Sequence, residues 1–306
     1  MRRGHRLAFV LGGGGARGAL QAGALRALSE RGIRPDLLVG TSAGALNAAF
    51  LGLDPTREQV ARLEDAWRSA AHQDLLPADW MSVVTRTFMH RAGVKRSSHL
   101  HEFIAAHLPD PNLRFRQLRV PVYLVAADLN HARAVLYGEH AEDSVLEGLL
   151  ASTALPPWVH PLEQGDRFLM DGGVVSNLPI EPAIARGATE IIAFDLSEPA
   201  EVDLQAHGFG PFVGKLLNTV AQRQIELELR LAAAQHVPVH HLQLRSVAPI
   251  PLWDFTHADE LIERGYVLTR RYLDEAWKPR PTTLVDRWRG WWPVKRRLAE
   301  LAVEKA

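Results

Sequence analysis

The chain has 306 residues, 47% hydrophobic and 23% charged, with 23 glycines and 19 prolines: ordinary globular composition, long enough for one large α/β domain or two small ones. Its 35 basic and 35 acidic residues cancel, so no global charge points to nucleic acid or to an acidic partner. The absence of cysteine excludes thiol catalysis, Cys-ligated zinc and disulfides, and fits a reducing cytoplasm.

The N-terminal stretch MRRGHRLAFVLGGGG begins like a secretory signal, but Leu7–Leu11 is too short for its apolar core and runs into four glycines. No stretch approaches the roughly 18 apolar residues of a membrane span. The expectation is a soluble, cytoplasmic protein whose first strand begins near the start of the chain. Leu7–Leu11 predicts a buried strand, Leu20–Glu30 a helix stopped by Gly32, Leu37–Val39 a second strand and Ala43–Leu53 a second helix. At Thr56 the pattern TREQ, with Gln59 reaching back, predicts a capping box opening a helix with Val60, Leu63 and Trp67 on one face. Residues 74–118 are rich in His and Arg and weakly periodic; helices and a lid or cap are expected there. Val120–Ala127, Arg133–Tyr137, Arg167–Met170, Glu190–Asp195 and Val239–Leu244 read as further strands, and Leu216–Gln235 and Ala258–Trp277 as long amphipathic helices. Short apolar runs alternating with helical patterns predict an α/β fold, a mostly parallel central sheet flanked by helices. One domain over residues 5–278 is expected, followed by a tail over 279–306.

The segment GGGGARG, Gly12 to Gly18, lies between a strand and a helix. Glycines there let backbone N–H groups crowd around an anion at a helix N-terminus, where the dipole also favours negative charge. Phosphate and oxyanion fit that chemistry equally, and Gly13, Gly15 and Gly18 satisfy the G-x-G-x-x-G spacing of dinucleotide binders. A dinucleotide fold places an acidic residue at the end of its second strand. Here Asp36 precedes that strand, which ends instead in GTSAG, Gly40 to Gly44. That is G-x-S-x-G between strand and helix, the setting of a nucleophile elbow that exposes Ser42 Oγ. The competing reading makes Ser42 a plain helix cap. Loops after adjacent strands meet at the carboxyl edge of such a sheet, so the two motifs together supply a nucleophile and donors for an oxyanion.

A serine hydroxyl needs a proton acceptor. None of the 14 histidines sits in a triad-like context; His160 and His257 stand in open positions without support. Three aspartates end apolar strands: Asp128, Asp171 and Asp195. Asp171 has the best setting, because Gly172 and Gly173 leave room beside a reacting group and Asn177 and Pro179 follow in a turn. An aspartate that only shapes its own turn is the alternative.

Taken together, GGGGARG at 12–18, GTSAG at 40–44, and DGG at 171–173 with Asn177 and Pro179 resemble the patatin-like phospholipases. ASTALPPW at 151–158 is similar to the family's pattern ahead of the aspartate, and the region around Asp254–Tyr266 is so more loosely. The resemblance covers roughly residues 5 to 275 and implies a three-layer α/β/α fold and a Ser–Asp dyad without histidine. Ser42 would be the nucleophile, Asp171 the base, and the amides of Gly13, Gly14 and Gly15 the oxyanion hole. Arg17 and Gly18 would support the loop. No metal or other cofactor is implied, and no acidic cluster suggests calcium. The substrate would be a lipid or related ester, with an acyltransferase, a thioesterase and a non-catalytic nucleotide binder as alternatives. In the tail, Trp288, Trp291 and Trp292 alternate with Arg287, Arg289 and Lys295. These suit a lipid headgroup interface and peripheral contact at the inner membrane face, or else a helix docking its Trp face on the domain.

Overall fold

In a computed structural model that describes residues 4–73, 75–76, 98–156, 159–197 and 209–277, the apolar runs become strands of one sheet. These are β1 (Leu7–Leu11), β2 (Leu37–Thr41), β3 (Val122–Asp128), β4 (Arg133–Tyr137), β5 (Leu162–Gln164), β6 (Arg167–Asp171), β7 (Glu190–Asp195) and β8 (Val239–Gln243). The helices are α1 (Gly18–Glu30), α2 (Ala43–Leu53), α3 (Arg57–Ala70), α4 (Ser98–His107), α5 (Val145–Ser152), α6 (Ile180–Ala185), α7 (Phe209–Ala234) and α8 (Ala258–Glu275). The chain divides into a compact unit over Met1–Arg270 and a second over Arg271–Ala306. The expected tail at 279–306 lies outside the described residues, as do residues 74 and 77–97 of the region where a lid is expected.

The sheet order is β5-β6-β3-β2-β1-β7-β8, with β4 also paired to β3. Its centre, from β3 through β2, β1 and β7 to β8, is parallel. Its β4, β5 and β6 margin is antiparallel. The sheet is therefore mixed, parallel only where helical crossovers join the strands. Alternation along β1 sends Ala8 and Val10 to one face, where they meet Val39, Ile191 and, from α6 and α7, Ile180, Ala183 and Ile225. Phe9 faces the other way, edge-on to Phe194 at 5.4 Å, beneath the layer of α1, α2 and α3. This is a three-layer α/β/α arrangement.

One detail of register positions the site. β2 pairs with Val122–Val125 of β3, β4 with Leu124–Asp128 and β6 with Ala126–Asp128. A strand has two edges, so β4 takes one, and β2 and β6 share the other end to end. β2 and β6 thus run toward each other along β3, and their final residues, Thr41 and Asp171, meet beside Val125 and Ala126.

The predicted cap at Thr56 forms by half: the Gln59 N–H donates to Thr56 Oγ1 at 3.3 Å. The Gln59 side chain does not reach back, donating instead to the Phe50 carbonyl at 2.9 Å and tying α3 to the end of α2.

Candidate active site

Ser42 follows β2 with φ 56° and ψ −122°, a conformation costly for any residue with a Cβ. Neighbouring backbone makes the turn possible only with small residues. A Cβ on Gly40 would collide with the Gly44 carbonyl, and one on Gly44 with that of Leu11. The Ser42 side chain makes no capping bond to α2; Ser42 and Asp171 line the same cleft, and the Ser42 hydroxyl lowers the pKa of the Asp171 carboxyl. Ser152, fully buried, anchors the elbow from behind. Its Oγ accepts the Ser42 N–H at 3.0 Å and donates to the Val125 carbonyl at 2.6 Å. That role was not evident from sequence, although Ser152 lies within the ASTALPPW stretch.

Asp171 is 4% exposed. Its Oδ1 accepts the Gly173 N–H at 2.8 Å, so it shapes its own turn as well as lining the cleft with Ser42. Burial pushes its pKa from 3.8 up to about 6, against the lowering effect of the Ser42 hydroxyl and the Gly173 N–H. The other two strand-ending aspartates differ. Burial also raises Asp128 and Asp195, but His131 bonded to Asp128, and His241 and Ser197 bonded to Asp195, outweigh it and hold both below the usual value. Each of those carboxylates is taken up by a histidine at 2.8 Å. His160 and His257 are exposed, and among the described residues no histidine is bonded to Ser42 or Asp171.

The turn after Asp171 is held by α7. Gln224 donates to the Val174 carbonyl at 2.6 Å and accepts the Asn177 N–H at 3.3 Å. Ser176 Oγ donates to Glu228 at 2.6 Å. The turn in turn supports the glycine loop, because the Gly13 N–H donates to the Asn177 carbonyl at 3.0 Å. This departs from the expectation that Gly13 supplies an oxyanion donor: its amide is already engaged as a strut. Among the described residues no acceptor takes the N–H of Gly14 or Gly15. The Gly14 carbonyl accepts from the Arg17 N–H at 3.2 Å and from Arg17 Nε at 3.3 Å. In a trans peptide the C=O and the next N–H point oppositely, so Arg17 turns the Gly15 N–H away from itself. A Cβ on Gly18 would lie 2.5 Å from the Trp67 ring, so the loop's far end seats directly against that indole.

From Ser42 and Asp171 a cleft runs among α2, α3, α4 and α5. Its walls include Leu46, Phe50, Leu63, Trp67, Phe103 and Leu149. Polar side chains are few: Ser42, Asn47, Thr153, His107 and Asp171. Asp36 lies elsewhere: its Oδ2 accepts the Leu7 N–H at 2.8 Å, at the start of β1 and β2. It cannot serve a ribose at the glycine loop, which removes a requirement of the dinucleotide reading.

The sequence model of the patatin-like phospholipase family matches residues 9–184, more than half of the chain, and the chain belongs to that family. Patatin-like phospholipase domain-containing protein 6 of Homo sapiens is 30% identical over 207 residues, 67% of this chain and 14% of that protein. Neuropathy target esterase sws of Drosophila melanogaster is 28% identical over 208 residues, 67% of this chain and 14% of that protein. The chain thus matches only a small part of the length of these curated relatives. Among solved structures, human GIVD cytosolic phospholipase A2 in complex with methyl gamma-linolenyl fluorophosphonate inhibitor is 14% identical, with a TM-score of 0.49 over 88% of this chain and 58% of that one.

Proposed function

We propose that the chain is a serine acyl hydrolase acting on carboxylic esters of lipids. The observation that carries this reading is the Ser42 hydroxyl, raised on a strained elbow and lining an apolar cleft together with a buried carboxylate. Asp171 accepts the Ser42 proton as Oγ attacks the ester carbonyl, and the N–H groups of Gly14 and Gly15 receive the oxyanion. The alcohol leaves with a proton from Asp171. Water then attacks the acyl-enzyme with Asp171 as base again, releasing the acid and restoring Ser42. Burial makes Asp171 a stronger base than an ordinary carboxylate while leaving it mostly ionised at neutral pH. The apolar walls accommodate an acyl chain, and the steps draw only on groups of this chain.

Since Asp171 must be ionised to act, kcat/KM is expected to fall as pH drops through about 6 and to level off above it. A pH–rate profile checks this; a midpoint near 4 would mean that the acting base is not buried.

Among the described residues no helix is long and apolar enough to cross a membrane. Peripheral contact with a lipid surface, at the inner membrane face of the cytoplasm, completes the reading, because the acyl chain must leave a lipid assembly to reach the cleft. Turnover of p-nitrophenyl butyrate, p-nitrophenyl palmitate and lysophosphatidylcholine tests the proposal. Release of free fatty acid is expected from the long-chain esters, and none from Ser42→Ala. Product appearing only when an alcohol or thiol acceptor is added would replace hydrolysis with acyl transfer.

A further inference from the structure

Two fully buried amide side chains stand between the helices that carry the glycine loop and the elbow: Gln21 on α1 and Asn47 on α2. Gln21 Nε2 donates to the Gly12 carbonyl at 2.9 Å and to the Phe194 carbonyl at 3.1 Å. Its Oε1 accepts from Asn47 Nδ2 at 2.8 Å. Asn47 Nδ2 also donates to the Gly18 carbonyl at 3.0 Å, and Asn47 Oδ1 accepts the Trp67 indole N–H at 2.8 Å. Every amide proton and both amide oxygens are therefore used. Turning either amide over would set N–H against N–H, so the chain of bonds has one arrangement.

The placement of these bonds is informative. Gly12 and Gly18 are the two ends of the loop, and this chain of side chains holds the carbonyl of each. Its other terminus, Trp67, lies in the wall of the apolar cleft and stacks on Phe255 at 6.2 Å. A loop of glycines has little stiffness of its own, yet oxyanion donors act through preorganisation. Something outside the loop must supply the rigidity.

We propose that Gln21 and Asn47 are positioning residues for ester hydrolysis. They clamp both ends of the glycine loop and tie it, through the Trp67 indole N–H, to the wall of the cleft. Neither touches the reacting atoms; both act through the amides of Gly14 and Gly15. An acyl chain that presses on Trp67 then bears directly on the loop that receives the oxyanion. This inference rests on the hydrolase reading, and its test separates the two.

kcat and KM are measured for a soluble p-nitrophenyl ester with wild type, Gln21→Met, Trp67→Phe and Ser42→Ala, at a temperature where circular dichroism shows each protein folded. Gln21→Met keeps the length and shape of the side chain and removes its three bonds. It is expected to lower kcat about 10-fold or more, less than the 10²–10³-fold loss of a whole oxyanion donor, with KM within about 3-fold of wild type. The pH midpoint set by Asp171 should stay in place. Trp67→Phe keeps an aromatic ring in the cleft and removes the N–H; a smaller fall in kcat is expected. Unchanged kcat in both variants overturns the clamp while leaving the hydrolase reading intact. A kcat loss accompanied by a moved pH midpoint also overturns it, because the damage would then be general to the site. Turnover that survives in Ser42→Ala overturns the hydrolase reading itself. Should Gln21→Met not fold, Trp67→Phe decides alone, and an unchanged kcat rejects the clamp.

Discussion

Asp171→Asn is expected to abolish ester turnover and, at neutral pH, to make the protein more stable. The loss of activity follows from removing the carboxylate proposed to accept the Ser42 proton, a contribution of about 10²–10⁴-fold. The gain in stability follows from linkage. The folded pKa of Asp171 is raised from 3.8 to about 6, so between those values the folded state binds more protons than the unfolded chain. Stability therefore falls as pH rises through that window, and above it the buried charge costs about 3 kcal/mol, at about 1.4 kcal/mol per pKa unit. Asparagine carries no charge, its Oδ1 can still accept the Gly173 N–H, and its amide can face Ser42. Urea unfolding should show Asp171→Asn more stable than wild type by up to about 3 kcal/mol at about pH 7.5, with the gain gone below about pH 4. Asp128→Asn and Asp195→Asn should keep turnover and lose stability, since both carboxylates lie below their ordinary pKa in the fold. Loss of turnover in either, or in a single His variant, would mean that another group accepts the proton.

The second large effect is expected at Gly14. A Cβ there would lie 2.7 Å from Leu196 Cβ and 2.8 Å from its Cδ1. Leu196 is fully buried and its Cβ is fixed to the backbone, so the loop must move. Moving it takes the Gly14 and Gly15 N–H groups off the position of the oxyanion. Losing one such donor costs about 2.7–4 kcal/mol of barrier. Gly14→Ala should therefore lower kcat about 100-fold or more and change KM much less. A nucleotide-binding loop makes a different demand: NAD(P) or ATP should raise the Tm of wild type by mass action. Normal turnover in Gly14→Ala together with such a shift would overturn the oxyanion assignment.

Where sequence and structure agree, the local chemistry dictates the element. Leu7–Leu11 has no polar residue to leave at a surface, and the sharp turn at Ser42 requires glycine at positions 40 and 44. The three aspartates each end a strand as read, and the one followed by Gly172 and Gly173 lines the cleft together with Ser42. Other features rest on contacts far apart in the chain. Periodicity carries no strand direction, so nothing in Arg167–Asp171 showed that β6 runs head-on toward β2. β5 has three residues and an exposed face, too little for an apolar signal. The family resemblance implies an oxyanion donor at Gly13, whereas its amide is taken by Asn177, 164 positions later. Gln21 and Asn47 carry no signal in the sequence, since only packing shows that both are buried. The cleft draws its walls from four helices and from Leu252 and Phe255, a convergence that no single segment encodes.

The central claim is that Ser42 is the nucleophile and Asp171 its only base. A fluorophosphonate probe tests it directly, because phosphonylation needs an activated hydroxyl and leaves a stable mark on it. Wild type should be labelled on Ser42 by peptide mass mapping, Ser42→Ala not at all, and Asp171→Asn far more slowly than wild type. Labelling that survives in Ser42→Ala, or that proceeds at the wild-type rate in Asp171→Asn, would contradict the dyad.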